Sequence, residues 1–326
     1  MAQESVGVIL LNMGGPDTLA DVEPFLFTLF SDRQIIRLSP FPFLQRFIAR
    51  RIARKRAPKS CEAYRLIGGG SPQKRLTAEQ AATLAGMLSP HGDFTVRLAM
   101  RYWPPRADET LREFAAAGVR RLVALSLYPH YSKATGGSSL IDLRRAVAES
   151  AAPFELAEVA SWPAAAEYVD CLAQDIEAGL RGFPGAGEPV VVYSAHSLPV
   201  RFIEEGDPYL DHLQQTVGAV EAKTGVKGRL CFQSRSGPVR WLAPSTPEML
   251  ATLAAEGIRQ VLMVPISFVS DHVETLYEID ILYREQAAAL GIELRRTPGL
   301  NARPEFVAAL RTLVLDACRS RDWLAD

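Results

Sequence analysis

The chain has few cysteines, and their spacing argues against two common kinds of protein. Its 326 residues contain no CxxC pair and no Cys/His cluster, only the scattered Cys61, Cys171, Cys231 and Cys318. A disulfide framework would need more cysteines, and a structural zinc or iron-sulfur site would need closely spaced ones. The pattern therefore favours a reducing compartment.

The chain also lacks long apolar segments and any excess of charge. No apolar run approaches the roughly 20 residues that a membrane-spanning helix requires, and no basic region followed by a long apolar one opens the sequence. The 36 basic and 37 acidic residues nearly cancel, so the net charge gives no general attraction to nucleic acid. We therefore expect a cytosolic protein without a nucleic-acid partner.

Both common nucleotide-binding patterns, GxGxxG and the P-loop, are missing, so support for nucleotide binding is weak. The sequence instead contains apolar runs of strand-forming residues that stop abruptly. Val6 to Leu11 stops at the turn Asn12 to Pro16, and Val190 to Tyr193 stops just before His196. Such runs are typical of buried parallel strands, whose carboxyl ends form the ligand crevice of open α/β sheets.

An internal repeat indicates two similar halves. Ala116 to Ser126 resembles Ala255 to Pro265, and Val8 to Asn12 resembles Val191 to Ala195. Strands and helices alternate in each half, which predicts parallel sheets joined by right-handed crossovers. The predicted fold class is thus α/β, with two Rossmann-like domains, each a parallel sheet flanked by helices, and an active-site cleft between them.

The predicted domain boundary follows from the repeat. We assign residues 1–155 to the first domain and residues 156–326 to the second. The last segment, Pro304 to Arg319, has the pattern of an amphipathic helix that could pack on either domain.

Candidate catalytic groups follow two of the predicted strands. His196 ends one strand, and Asp271, Glu274 and Glu278 follow the apolar run Val261 to Phe268. In a helix starting near Asp271 the three carboxylates would share one face, because residues three and four apart are neighbours. A structural interpretation is equally available, since Asp271 and Glu274 have the spacing of a capping box and a histidine near buried serines can be purely structural.

The segment Pro40 to Lys59 alternates aromatic and apolar residues with arginine and lysine. At helical spacing this predicts a basic amphipathic helix. Such a helix can lie on an anionic membrane surface, line the mouth of a pocket for an acidic ligand, or simply be a solvated face. The loop Gly68 to Gly70 that follows is compatible with either a ligand loop or a hinge.

Five motifs together resemble the ferrochelatase family, in the family's order and over about Val6 to Leu310. They are Asn12–Pro16, Tyr64–Pro72, Tyr128–Ser132, Ser194–Pro199 and Ser270–Glu278. The resemblance implies a lyase that inserts Fe²⁺, a substrate, into protoporphyrin IX and releases two protons, the terminal step of haem biosynthesis.

The resemblance also implies roles for individual residues. His196 and Glu274 match the catalytic and metal-site pair of the family. Its porphyrin contacts match Met13, Arg56, Tyr64 and Ser71. Imidazole titrates near neutral pH and is a suitable Fe²⁺ ligand, so the residue types fit proton removal and metal delivery. Asp271 and Glu278 are candidates for a relay of protons or iron.

The chain departs from some members of the family at positions that bear on cofactors. The internal cysteine that helps hold a [2Fe-2S] cluster is replaced by Lys133, and Cys318 is the sole cysteine of the C-terminal segment. We therefore expect no cluster and no permanently bound cofactor. Ala164 to Ala166 and Leu282 replace histidines and a glutamate, which weakens the case for a longer acidic relay.

Three other functions are compatible with parts of the pattern. A coproporphyrin III ferrochelatase is disfavoured because that type tends to have tyrosine where this chain has Met13. A non-catalytic tetrapyrrole or haem carrier would not need His196 and Glu274. A non-haem iron oxygenase would need His196, His272 and Glu274 on one metal, and residues 272 and 274 of a helix point apart. The expected location is cytoplasmic, with peripheral contact through Pro40 to Lys59 at the inner membrane face as a further possibility.

Overall fold

The computed structural model describes residues 5–185 and 187–324. The strands of this part of the chain are β1 (Val6–Asn12), β2 (Phe94–Met100), β3 (Arg121–Ser126), β4 (Glu155–Val159), β5 (Val190–His196), β6 (Gly228–Gln233), β7 (Gln260–Pro265) and β8 (Glu293–Arg296). The α-helices are α1 (Val22–Ser31), α2 (Pro42–Leu66), α3 (Gln73–Leu88), α4 (Ala107–Ala116), α5 (Gly136–Glu149), α6 (Ala166–Arg181), α7 (Val200–Glu204), α8 (Tyr209–Thr224), α9 (Thr246–Ala255), α10 (Arg284–Ala289) and α11 (Pro304–Arg319). A π-helix spans Glu274–Tyr283.

The strands form two parallel four-stranded sheets with the same strand order, β2-β1-β3-β4 and β6-β5-β7-β8. In each sheet the first strand in sequence lies next to the second and the third. The repeat in the sequence therefore corresponds to a repeated topology, and the predicted α/β class with two parallel sheets is confirmed.

The apolar runs became strands because both faces of each sheet are covered. Every residue of β1 is buried, and so are five of the seven residues of β5. A strand that is buried on both faces gains from apolar side chains at every position, which explains continuous rather than alternating runs. The carboxyl ends of β1 and β5 then reach the polar residues Asn12 and His196.

The two compact units differ from the predicted domains. The first unit runs to Trp162 and also contains Asn301 onward, and the second unit is Pro163–Leu300. The predicted boundary after residue 155 would have cut β4 after its first residue and placed the rest in the second unit. It is wrong because the rest of β4 also pairs with β3, with Leu122 opposite Leu156, and so completes the first sheet.

The predicted basic amphipathic helix exists as α2, but its buried face is not aromatic. The buried residues in its first four turns are Gln45, Ala49, Ala53 and Ala57, spaced four apart. Small residues on this face let α2 pack closely, whereas Phe43 and Phe47 remain 76% and 61% exposed. No helix among the described residues is both long and apolar enough to cross a membrane.

The helix predicted to start near Asp271 starts later and has a different geometry. Residues Glu274–Tyr283 form a π-helix that continues into α10. With i→i+5 hydrogen bonds, a π-helix contains more residues per turn than the 3.6 of an α-helix, which changes which side chains share a face. This difference determines the arrangement of the carboxylates described below.

Candidate active site

His196 is the last residue of β5, and its backbone is held on both sides. Its amide nitrogen donates to Ser267 Oγ at 3.3 Å, and its carbonyl oxygen accepts from the Tyr209 hydroxyl at 3.0 Å. The Tyr209 and Ser267 hydroxyls also contact each other at 2.8 Å. These bonds fix the direction in which the imidazole leaves the sheet.

The imidazole of His196 binds Glu274, the first residue of the π-helix. The distance from His196 Nδ1 to Glu274 Oε2 is 2.8 Å. The two residues are 78 positions apart in sequence, so the strand end and the helix start are brought together by the fold. This contact leaves Nε2 as the ring nitrogen that Glu274 does not engage.

The electrostatics of the pair favour a charged carboxylate. Burial by itself would raise the pKa of Glu274, but the charge and hydrogen bond of His196 outweigh it and lower that pKa below its ordinary value. Burial would likewise lower the pKa of His196, and Glu274 overcomes this so that the imidazole pKa lies above 6.5. Each partner therefore stabilises the charged form of the other.

Glu278 is joined to Glu274 through Ser234. Ser234 Oγ lies 2.9 Å from Glu274 Oε2 and 2.6 Å from Glu278 Oε2. A hydroxyl has one hydrogen, so it can donate to only one of these acids. Burial, followed by the charge of Glu274, raises the pKa of Glu278 to about 7, and a protonated Glu278 would supply the second hydrogen bond.

Ser234 has an unusual backbone conformation, and Gln233 beside it is hydrogen-bonded to Glu274 and Glu278. Ser234 has a φ of 65°, a left-handed conformation that is unfavourable for residues other than glycine. The preceding Gln233, at the end of β6, donates from Nε2 to the Glu274 carbonyl oxygen at 2.8 Å and to Glu278 Oε2 at 3.1 Å. Its Oε1 accepts from the Ser194 hydroxyl at 2.6 Å, which orients the amide.

Asp271 and His272 face other partners, so the expected alignment of three carboxylates was wrong. Asp271 Oδ1 lies 3.1 Å from Arg296 Nη1 and accepts from the Thr275 hydroxyl at 3.0 Å. His272 Nδ1 lies 3.1 Å from the carbonyl oxygen of Ser270, and burial lowers its pKa. Glu274 and Glu278 share Ser234, whereas Asp271 points to Arg296.

The predicted porphyrin contacts all lie in the first unit. The loop after β1 touches Ser71: the Ser71 amide donates to the Pro16 carbonyl oxygen at 2.8 Å, and a Cβ at Gly15 would lie 2.5 Å from Ser71 Oγ. Met13 is fixed in this loop because its amide donates to Asn12 Oδ1 at 2.8 Å. Met13 and Ser71 are therefore on loops in direct contact.

The other two predicted contacts have different surroundings. Tyr64 is 6% exposed in the last turns of α2. The Arg56 guanidinium is exposed and lies over the Phe30 ring, 5.2 Å from its centroid. The structure thus associates Arg56 with Phe30 of α1.

The described residues contain no group of three or more His, Cys, Asp or Glu side chains arranged to hold a metal ion. His196 and Glu274 offer one imidazole and one carboxylate, a pair that suits Fe²⁺ without enclosing it.

Sequence reasoning missed Gln233, Ser234 and Tyr209. Gln233 ends β6 in the same way that His196 ends β5, Ser234 follows it directly, and Gln233 is the register partner of His196. The rule that pointed to His196 would therefore have found them. Tyr209 starts α8 and has no such signal in the sequence.

The chain is similar to known proteins in both sequence and structure. A sequence model of the ferrochelatase family matches residues 5–318. The ferrochelatase of Desulfotalea psychrophila is 56% identical over 316 residues, covering 97% of this chain and 98% of that protein. The ferrochelatase of Geotalea uraniireducens is 52% identical over 313 residues, covering 95% and 97%.

Among solved structures, the sirohydrochlorin chelatase of Bacillus subtilis subspecies spizizenii in complex with cobalt has a TM-score of 0.58 and 10% identity, covering 98% of this chain and 97% of that one. At this identity the similarity concerns the fold alone, which is that of the two-domain chelatases. The sequence matches span nearly the whole chain at high identity. The chain therefore belongs to the ferrochelatase family, the metal chelatases of the lyase class that act in haem biosynthesis.

Proposed function

We propose that this ferrochelatase inserts Fe²⁺ into protoporphyrin IX and that His196 and Glu274 act on the iron and on the pyrrole protons. The observation that carries the proposal is the 2.8 Å contact between His196 Nδ1 and Glu274 Oε2 at the carboxyl end of β5. Open α/β sheets bind ligands at this edge. The contact orients an imidazole and places an anion behind it.

The imidazole has a defined task in this proposal. Two pyrrole N–H groups lose protons as Fe²⁺ enters the ring. Glu274 keeps the proton of a neutral His196 on Nδ1, so the basic nitrogen is Nε2. Approach of a dication disfavours an imidazolium ion and so returns the ring to the neutral form that can accept a proton or hold the metal.

A relay through Ser234 would carry the protons away. His196 gives its Nδ1 proton to Glu274 as Nε2 accepts a pyrrole proton, and the Ser234 hydroxyl, which contacts both carboxylates, takes that proton from Glu274 as it gives its own to Glu278. Glu278 accepts it after releasing its earlier proton to water. A pKa of about 7 lets Glu278 both hold and release a proton at neutral pH. Asp271 faces Arg296 instead, so the proposed relay runs through Glu278.

Porphyrin binding is proposed for the first unit. Met13 would lie under the macrocycle on the loop that touches Ser71, and Arg56, Tyr64 and Ser71 would serve the propionates. An acidic, flat and largely apolar ligand requires apolar surface together with cations and hydroxyls.

The test is an anaerobic assay with Fe²⁺ and protoporphyrin IX that follows the visible bands of the porphyrin. We expect His196→Ala and Glu274→Ala each to lower kcat by about 10² or more. Matched controls are His91→Ala and Glu256→Gln, which change an exposed histidine and an exposed glutamate elsewhere. Haem formation that survives both changes at the site would rule out the assigned pair.

The same assay separates the rival functions. Faster turnover with coproporphyrin III than with protoporphyrin IX would assign the other substrate. Tight porphyrin binding without metal insertion by the wild type would indicate a carrier. Iron and acid-labile sulfide analysis of the purified protein tests the further proposal that Lys133 and a single C-terminal cysteine preclude a [2Fe-2S] cluster.

We also propose peripheral contact with the anionic inner membrane face through α2. Phe41, Phe43 and Phe47 are 58%, 76% and 61% exposed. Phe47 also borders a groove of about 530 Å³ whose other lining residues are Arg50, Arg51, Arg54 and Lys55. Exposed aromatics beside clustered cations match an interface of acyl chains and anionic headgroups.

Sedimentation with phosphatidylglycerol vesicles at low salt tests this surface, with phosphatidylcholine vesicles for comparison. We expect Phe43→Ser and the pair Arg50→Glu and Arg51→Glu to reduce binding at least severalfold, since each basic residue near an anionic surface contributes about 1 kcal/mol. Arg112→Glu is the control, because Arg112 is an exposed arginine of α4. Equal sedimentation with both lipids would contradict the proposal.

A further inference from the structure

Arg296 is an arginine of low exposure that contacts both the π-helix and the segment just before it. Its side chain is 11% exposed at the end of β8. Nε and Nη2 donate to the two carboxylate oxygens of Asp280, both at 2.8 Å, in a bidentate pair. Nη1 lies 3.1 Å from Asp271 Oδ1. One guanidinium thus contacts both Asp271, three residues before the π-helix, and Asp280, within the π-helix.

The position of Asp280 relative to Asp271 depends on the helix geometry. Asp271 lies three residues before the π-helix, and Asp280 lies within it. The wider turns of a π-helix rotate its residues by less per position than the 3.6-residue turns of an α-helix. A change to α-helical turns would therefore move Asp280 around the helix relative to Asp271, and Arg296 could not keep both contacts unchanged.

Asp271, which Arg296 contacts, is hydrogen-bonded to Thr275, the residue that follows Glu274. Asp271 Oδ1 accepts from the Thr275 hydroxyl at 3.0 Å, and Thr275 Oγ1 in turn accepts from the His272 amide at 3.1 Å. Thr275 is 1% exposed and follows Glu274 in the chain. Arg296 therefore fixes the backbone on which Glu274 is carried, although it contacts neither Glu274 nor Glu278 in these hydrogen bonds.

We infer that Arg296 is a positioning residue for metal insertion, which stabilises the π-helix in the register that presents both Glu274 and Glu278 to Ser234. The inference rests on the roles proposed above for these two acids. Without Arg296, Asp280 would lose its bidentate partner and Asp271 would lose one of its contacts, and an α-helical register would turn Glu278 relative to Glu274.

Arg296→Ala tests the inference, with Arg295→Ala as the matched control. Arg295 is the neighbouring arginine of β8, 41% exposed, and pairs with Glu293. We expect Arg296→Ala to lower kcat for Fe²⁺ insertion about tenfold to a hundredfold, with the KM for the porphyrin changed less than about threefold. Arg296→Lys should recover only part, because an ammonium lacks the planar fork of donors. Millimolar guanidinium chloride should partly restore Arg296→Ala and should not affect Arg295→Ala.

A second variant disturbs the contact between Asp271 and Arg296 without changing a charged residue. A Cβ at Gly299 would lie 2.7 Å from Asp271 Oδ2, so Gly299→Ala displaces this carboxylate from Arg296. We expect the same fall in kcat from Gly299→Ala even if Arg296→Ala fails to fold. A crystal structure of either variant should show a longer distance from Ser234 Oγ to Glu278 Oε2.

The outcomes separate this inference from the proposed function. Full activity of Glu274→Ala would reject the site assignment whatever Arg296 does. If Glu274→Ala is inactive while folded Arg296→Ala and Gly299→Ala retain wild-type kcat, the positioning role alone is rejected. Equal losses in kcat and in porphyrin affinity, without rescue by guanidinium, would also overturn it, because they would indicate general damage to the fold.

Discussion

The helix that follows the third strand differs between two units of identical topology. In the first unit it is the regular α-helix α5, and in the second it is the π-helix. Arg101 serves α5 by donating to Ser138 Oγ at 2.8 Å and approaching Asp142 Oδ2 at 3.6 Å. Ser138 and Asp142 are four apart, one α-helical turn, whereas the acids bound by Arg296 are nine apart.

This contrast shows how one scaffold can carry two kinds of site. In both units an arginine near the end of another strand contacts the helix that follows the third strand, but its partners are one α-helical turn apart in the first unit and lie within and before the π-helix in the second. In the second unit the wider turn is associated with two carboxylates that share Ser234. π-Helical turns are rare and frequently occur at functional sites, which agrees with the location of the proposed chemistry.

The largest expected effect tests whether the second unit depends on its shared hydroxyl. Ser234→Ala removes the group between Glu274 and Glu278, and we expect kcat to fall about tenfold to a hundredfold because proton transfer by a positioned group contributes on that scale or more. Ser234→Gly should be equally slow but more stable than Ser234→Ala by about 1 kcal/mol, since glycine tolerates the φ of 65°. Unaltered kcat in both variants would exclude the relay.

Next in size is the loss of an ion pair in the first unit. Asp32 is 9% exposed and accepts from Arg101 Nη2 at 2.7 Å, the Tyr102 hydroxyl at 2.8 Å and Ser138 Oγ at 2.9 Å. Asp32→Ala leaves Arg101, which is 15% exposed, with Asp142 at 3.6 Å as its remaining acidic contact, and we expect the free energy of unfolding, measured in urea, to fall by about 3 kcal/mol. Asp108→Ala is the control, because its pair with Arg112 is exposed. Similar losses from the two changes would contradict the importance of burial.

A smaller change in stability is expected at Gly70, in the long segment between β1 and β2 of the first unit. A Cβ at Gly70 would lie 2.2 Å from the Asp17 carbonyl oxygen, so backbone must move. We expect Gly70→Ala to destabilise the protein by about 1–3 kcal/mol. Gly86→Ala, within α3 and with open space around it, should instead stabilise by about 0.5–1 kcal/mol. The same sign for both variants in urea titrations would refute the packing argument.

The smallest effect concerns the pH dependence of the second unit. His212 is half-buried in α8, and burial lowers its pKa below 6.5 despite Asp211 and Asp207. Above pH 6.5 the ring is neutral in both states, and as the pH falls further the unfolded state takes up the proton first. Wild-type stability should therefore fall relative to His212→Gln as the pH is lowered from 7 through the folded pKa. A constant difference over this range would contradict the shift.

Much of the fold could be predicted because its signals are local. The runs Val6 to Leu11 and Val190 to Tyr193 are apolar at every position, and only strands covered on both faces need this. Helix α2 was predicted from its periodicity, and Phe43 and Phe47 in its first turns are exposed. Periodicity shows that a helix has two faces, but the neighbour that covers one of them decides which face is buried.

The π-helix could not have been predicted in the same way. A pattern read with 3.6 residues per turn placed Asp271, Glu274 and Glu278 on one face, but the helix begins only at Glu274, and Asp271 lies before it and pairs with Arg296. The left-handed conformation of Ser234 gave no signal either, since serine rarely adopts it. Both features are imposed by partners that are remote in sequence.

Local patterns in the sequence were enough to predict the order of strands and helices, the internal repeat, and the residue types that could bind a metal ion and accept protons. These properties depend on side chains within a few positions of one another. Three contacts became visible only in the folded chain. His196 binds Glu274 across 78 positions, and Glu278 rather than Asp271 contacts Ser234 together with Glu274. Arg296 contacts both Asp271 and Asp280. Such contacts arise when parallel strands bring their carboxyl ends to one sheet edge, where angstrom-scale distances depend on the packing of whole elements.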